Sequence, residues 1–246
     1  MGEPPERAVD AQLYPEREAM IPANLARIRA RIEAASRAAG RTDLPRLVGV
    51  TKMRTIEEIR SLVDAGVTHL GENRWEEWEG KRNALDEGIS WHFIGAIQGR
   101  SLRKHYRPLF RVDSLDNLSH ARLLSDLASR EGVTQSVLLE ANILRDPGRS
   151  GFLPEELEKE VGSLATLEGL DICGLLVMGP VPDPSGRQDK TRKVFEDARE
   201  WWIRLKGHWP FLVELSMGMS EDFEEGIRCG ATEVRIGRLL FEEGIV

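Results

Sequence analysis

Polar and apolar positions along the chain alternate between two periods. The segments LVGVT (47–51), THLGEN (68–73), WHFIGA (91–96), FRVDS (110–114), SVLLEAN (136–142), ICGLLVM (172–178), LVELSM (212–217) and EVRIG (233–237) are short and apolar, several almost without interruption. That is the pattern of a parallel sheet covered on its outer face. Between them, stretches such as TIEEIRSLVDAG, LDNLSHARLLSDLASREG, PEELEKEVGSLATL and KTRKVFEDAREWWIRLKG repeat apolar residues at the helical spacing. The third and eighth helices carry the faintest periodicity. Gly66, Gly132 and Gly207 stand where a left-handed cap would end a helix before the next strand. Eight strand–helix alternations with no linker predict an α/β fold, a single closed (β/α)8 TIM barrel, rather than an open doubly wound sheet. One extra helix precedes it, in IPANLARIRARIEAASRAAG, with Leu25, Ile28 and Ile32 on one face and Gly40 at its end. Residues 1–20, rich in Pro and Glu, predict a polar N-terminal tail, which leaves 21–246 for the barrel.

Composition narrows the class. A length of 246 residues suits one such barrel, typically about 250 residues. Charged residues make up 30% and the net charge is −7, so a nucleic-acid partner with its basic face is not expected. No apolar run approaches a membrane span or a signal-peptide core, and the expected location is cytoplasmic. Cys173 and Cys229 show no CxxC or metal-type spacing and read as two thiols in a reducing compartment.

In a barrel of this kind the chemistry belongs to the loops that follow the strands, with phosphate often bound after strands seven and eight. Lys52 ends strand one, Asn73 ends strand two, SMGMSED (216–222) follows strand seven, and VRIGR (234–238) carries Arg235, Gly237 and Arg238. Small residues ahead of a helix leave backbone N–H groups free for an anion, and a glycine lets the backbone approach a ligand closely. Ser220-Glu221-Asp222 reads equally as an ordinary helix N-cap with an acidic first turn. A partly buried lysine amine loses its preference for the charged form and can form an imine with an aldehyde. An aldehyde bearing a phosphate describes pyridoxal 5′-phosphate, and aldolase-type sugar phosphates fit the same outline. Strand alternation turns Arg235 away from Val234 and Ile236, towards the barrel interior, where it needs an acceptor. An arginine at a pyridine nitrogen weakens that ring as an electron sink, whereas an aminotransferase-like site uses Asp or Glu. His92 reads as a core histidine or as a base. The tryptophans of WEEW, with Trp201 and Trp202, read as packing residues, and RSLRKHYR (100–107) as a solvated face.

These residues resemble the YggS/PROSC family of pyridoxal phosphate homeostasis proteins, which share the barrel of alanine racemase. The resemblance runs from about Ile21 to the C-terminus through VGVTK (48–52), GEN (71–73), WHFIGAIQ (91–98), RSG (149–151), SMGMSED (216–222) and VRIGRLLF (234–241). Carried over by position, it implies that Lys52 is the Schiff-base lysine and that Asn73 lies beside the cofactor ring. It further implies that Ser216, Met219, Gly237 and Arg238 supply the phosphate site, with Arg235 at the ring nitrogen. The chain departs from the family in three places. Arg74 stands where the family has the tyrosine of GENY, Gly99-Arg100 replace an Asn-Lys pair, and Arg238 replaces a Thr or Ser whose hydroxyl joins the phosphate.

The resemblance implies a carrier and regulator of pyridoxal phosphate and related B6 vitamers, not an enzyme. Such a protein would limit the free aldehyde and pass it to apo-enzymes, with an effect on amino-acid balance. Alanine racemases bring a catalytic tyrosine from a second domain, and this chain stops soon after strand eight. A racemase or lyase of low activity, and a degenerate member without cofactor, are the competing readings. A monomer is expected.

Overall fold

The computed structural model describes residues 14–85, 88–182, 185 and 188–242, the side chains of 14–18 apart. Eight parallel strands close in sequence order: β1 (Arg46–Val50), β2 (His69–Glu72), β3 (Ser90–Phe93), β4 (Arg111–Leu115), β5 (Gln135–Ala141), β6 (Leu170–Val177), β7 (Glu214–Met217) and β8 (Glu233–Ile236). The last pairs with the first, Gly49 lying opposite Ile236. The predicted TIM barrel is therefore the observed fold. Strand ends differ most at β3, predicted to Ala96 and observed to Phe93, because Ile94 N–H bonds Glu72 and the chain then leaves the sheet.

Outside the sheet lie α1 (Tyr14–Ala38), α2 (Ile56–Asp64), α3 (Trp75–Ala84), α4 (Gly99–His105), α5 (Leu118–Arg130), α6 (Pro154–Ala165), α7 (Asp189–Lys206), α8 (Phe223–Arg228) and α9 (Arg238–Phe241). The faint third and eighth barrel helices, those after β3 and β8, are α4 and the short α9. The extra helix α1 begins at Tyr14, seven residues inside the segment predicted as tail; residues 1–13 lie outside those described. It buries Ile21, Leu25, Ile28 and Ile32 against α2, α8 and α9, joining the two ends of the barrel wall. Gly66 and Gly132 take positive φ as predicted, but Gly207 does not. Its φ is −62°, since a further turn through His208 and Trp209 bonds back to Leu205 before β7. Trp75 and Trp78 are buried, and Trp75 stacks on Phe93 at 4.1 Å, so the WEEW tryptophans do pack the core. The basic residues of α4 point to solvent while Leu102 and Tyr106 are buried. Both cysteines are free thiols, Cys229 buried and Cys173 partly so. No described helix is long and apolar enough to cross a membrane.

Candidate functional site

The predicted residues fall on β7, β8, β1 and β2, four neighbours in the barrel, at the carboxyl ends of the strands. The sheet registers Val50 of β1 against Gly71 of β2, and Gly237 after β8 lies against Val50. Lys52, two residues beyond Val50, therefore rises between the ends of β8 and β2. Its side chain is exposed, not partly buried as the sequence predicts. It sits in a tight turn closed by Arg54 N–H donating to Thr51 O at 3.1 Å, followed by Met53 with φ of 61°. Beneath the turn, Lys81 of α3 donates to Thr51 O at 2.8 Å and to the buried Glu72 carboxylate at 2.7 Å. Burial pushes the Glu72 carboxyl above its ordinary value, opposed by Lys81 and Thr51.

Asn73, at the end of β2, has a buried Oδ1 with no hydrogen-bond partner among the described residues. Its backbone is pressed against Gly95 so closely that a Cβ there would lie 2.0 Å from Asn73 O. Only glycine fits at that point of WHFIGAIQ, which explains its place in the motif.

After β7 the chain turns at Gly218, where φ is +99° and a Cβ would lie 2.7 Å from Phe223 Cα. Met219 N–H donates to Asp222 Oδ1 at 2.6 Å. Among the described residues Ser220 makes no hydrogen bond, and the N–H groups of Gly237 and Arg238 donate to nothing. These donors sit on adjacent loops, joined where Arg238 ion-pairs Glu221 across the gap, both side chains about half exposed. Ser216 lies lower. Its hydroxyl points into the barrel, donating to Glu233 at 2.7 Å and accepting from Arg235 at 2.8 Å.

Arg235 is buried and faces inward, as alternation predicted. Its Nη atoms donate to Ser216 O, Ser216 Oγ, Val177 O and Met178 Sδ. The Nε–H is the one guanidinium donor left without a partner among the described residues. Burial pulls its pKa down, opposed by Glu233, Asp113, Asp222 and Glu140. Below it a charged column fills the barrel. Arg111 bonds Asp113 at 2.7 Å and Glu233 at 2.6 Å, and Asp113 meets His92 at 2.9 Å. His92 shares a 3.0 Å hydrogen bond with His69, so it is a core histidine, oriented by a carboxylate. The ligand atoms of His92, Asp113 and Glu233 come within 4.8 Å of one another, and the cation among them is Arg111.

A cavity of about 270 Å³ opens beside this mouth, lined by Glu140, Asn142, Met178 and, from the RSG segment, Arg149 and Ser150. The sequence reading did not single out Glu72, Lys81, Glu140 or the Arg111 column. One signal was present: acidic and basic residues inside otherwise apolar strands, as in THLGEN and FRVDS.

A barrel with a lysine at the end of its first strand and unpaired N–H groups after its seventh and eighth is the domain type that opens the alanine racemases. The family model described as "Alanine racemase, N-terminal domain" matches residues 23–243. Within that class, the chain belongs to the family of pyridoxal phosphate homeostasis proteins. It is 37% identical over 222 residues to the one from Deinococcus radiodurans, covering 90% of this chain and 99% of the relative. To that of Synechocystis sp. it is 35% identical over 199 residues, covering 80% and 90%. Among solved structures, PipY of Synechococcus elongatus with PLP bound superposes with a TM-score of 0.75 at 28% identity, covering 90% of this chain and all of that one (100%). Alanine racemase of Clostridium difficile shares the fold, with a TM-score of 0.72 at 17% identity, and this chain covers 57% of its length.

Proposed function

We propose that this protein binds pyridoxal 5′-phosphate at the carboxyl ends of β7, β8, β1 and β2, held covalently by Lys52, and acts as a carrier and regulator of B6 vitamers. The observation that carries the reading is the set of unsatisfied groups around one mouth. The Lys52 amine stands between β8 and β2, and among the described residues the Asn73 Oδ1 and the Arg235 Nε–H have no partner. Ser220, Gly237 and Arg238 add N–H donors on two loops that a phosphate can join. Each group suits one part of the cofactor: amine for aldehyde, N–H groups and guanidinium for phosphate, Arg235 for the ring nitrogen. Ser216 acts below the mouth by fixing Arg235, and Met219, whose N–H is taken by Asp222 Oδ1, shapes the loop rather than offering a donor. The bound cofactor supplies an aldehyde that a lysine amine captures reversibly.

The solved PipY complex with PLP and the homeostasis proteins named above support this reading. Those relatives are named for cofactor balance rather than for a reaction, which favours a carrier that hands the aldehyde to apo-enzymes over a catalyst. A cytoplasmic monomer suits that role. The test is borohydride reduction after incubation with pyridoxal phosphate, followed by peptide mapping. The adduct is expected on Lys52 and is expected to vanish in Lys52→Ala. An adduct elsewhere, or none, overturns the proposal.

A further inference from the structure

Resting on the reading of Lys52 as the cofactor-bearing amine, we propose that the buried Glu72–Lys81 pair, with Glu77, clamps the turn that presents it. Lys81 is then a positioning residue for Lys52. The clamp grips the turn on both sides of the lysine. On one side, Thr51 O accepts from Lys81 Nζ at 2.8 Å and from Arg54 N–H at 3.1 Å, while Thr51 Oγ1 donates to Glu72 at 2.5 Å. On the other, Met53 N–H donates to Glu77 Oε2 at 3.3 Å, and the same carboxylate oxygen lies 3.6 Å from Lys81 Nζ.

Two features say that this is more than an anchor for α3. First, taking a lysine and a glutamate out of water costs several kcal/mol per ion, and an apolar pair would fasten the helix as well. Here Glu72 is fully buried and the Lys81 side chain is only 10% exposed, yet Lys81 spends a donor on the carbonyl preceding Lys52. Second, the turn is strained. With Lys52 in its second position and Met53 in its third, the positive φ at Met53 has the sign of a type II turn. That position favours glycine, and a methionine there costs on the order of 1–2 kcal/mol. Such strain persists only where the surroundings over-determine it. The clamp supplies that constraint. When the amine captures an aldehyde, nitrogen bonds to the carbonyl carbon and the oxygen leaves as water, so the amine must approach along a defined line.

The experiment compares wild type with Lys81→Met, Lys81→Arg and Leu124→Ala, the last emptying a buried site on α5 far from the turn. Two quantities are read by peptide mapping: the rate of pyridoxal phosphate capture at Lys52, and the pH profile of Lys52 methylation by formaldehyde with borohydride. Lys81→Met is expected to slow capture on the order of tenfold and to move the methylation profile. Lys81→Arg, which keeps the charge, recovers part of both, and Leu124→Ala leaves both at wild type despite its lower melting temperature. A Lys81→Met protein matching wild type in both readouts overturns the clamp. Equal slowing in Leu124→Ala does too, because the effect then follows stability. If wild type captures no cofactor at Lys52, the proposed function fails, and the methylation profile still decides whether Lys81 sets that amine.

Discussion

Arg238 occupies the position where the resembling family carries a hydroxyl, and its side chain bridges to Glu221 on the neighbouring loop. A half-exposed pair of this kind contributes only about 0.2–1 kcal/mol by itself. Its larger effect is on charge, because it holds a guanidinium at the rim of the donors from Ser220, Gly237 and Arg238. Arg238→Ala is therefore expected to weaken pyridoxal phosphate about fivefold, a loss near 1 kcal/mol, read by fluorescence titration. Pyridoxal without phosphate should bind equally to both proteins. If the phosphorylated form also binds unchanged, the guanidinium serves the bridge to Glu221 alone. At this scale the sequence showed which residues meet but not what each side chain does. Ser216 and Arg235 both follow from strand period and barrel rule, yet the Ser216 hydroxyl turns down to Glu233 instead of up to the loop. Lys81 was invisible for a general reason: a lysine in a helix as polar as WEEWEGKRNA is by default solvated, and only the packed structure reveals Glu72 beneath it.

The elements themselves were largely legible. Every predicted strand forms, since parallel strands buried on both faces leave continuous apolar runs. Helix ends were harder. The Gly207 turn and the early start of α1 depend on local hydrogen bonds and on packing that no periodicity encodes. The interior ties between strands were also unreadable, because a residue such as Arg111 pairs with Glu233, 122 positions away. That tie couples β4 to β8, and Arg46 extends it from β1 to Glu214 on β7. Burial lowers the Arg111 pKa, but Asp113 and Glu233 outweigh it and raise the value above that of an ordinary arginine. Arg111→Met would remove the guanidinium shared by two buried carboxylates, leaving Asp113 only His92 and Glu233 only the more exposed Arg46, a loss of about 3–5 kcal/mol. Thermal melts should show a fall of roughly 6–20 °C for a chain of this length. Adding Glu233→Gln should recover part of it, because one uncompensated charge goes. A double variant no more stable than Arg111→Met would deny the pairing its energetic role.

Across the whole molecule, the column of charge links the two mouths of the barrel. It starts at His69 and Arg46 near the amino ends of the strands and reaches Arg235 at the site. Such an interior makes stability respond to acid in two stages. Burial, then the neighbouring His92 and Arg46, depress the His69 pKa to about 4. In the unfolded chain this ring titrates near ~6.5. Between these values the unfolded state holds a proton that the folded state lacks, so stability falls as pH drops from about 6.5 to about 4. Asp113 acts later. Burial raises its pKa, but His92 and Arg111 overcome this and hold it well below the ordinary aspartate value of about 3.9. Its contribution is intact above that value and is lost as pH falls below it. Melting temperatures measured from pH 8 to pH 3 should thus decline gently through the first window and steeply beneath it. His69→Gln keeps a polar group at the column's end and removes the titration, so its curve is expected to run flat through the first window and to join the same steep limb. A His69→Gln curve that stays parallel to wild type between pH 6.5 and 4 would assign the gentle decline to other groups.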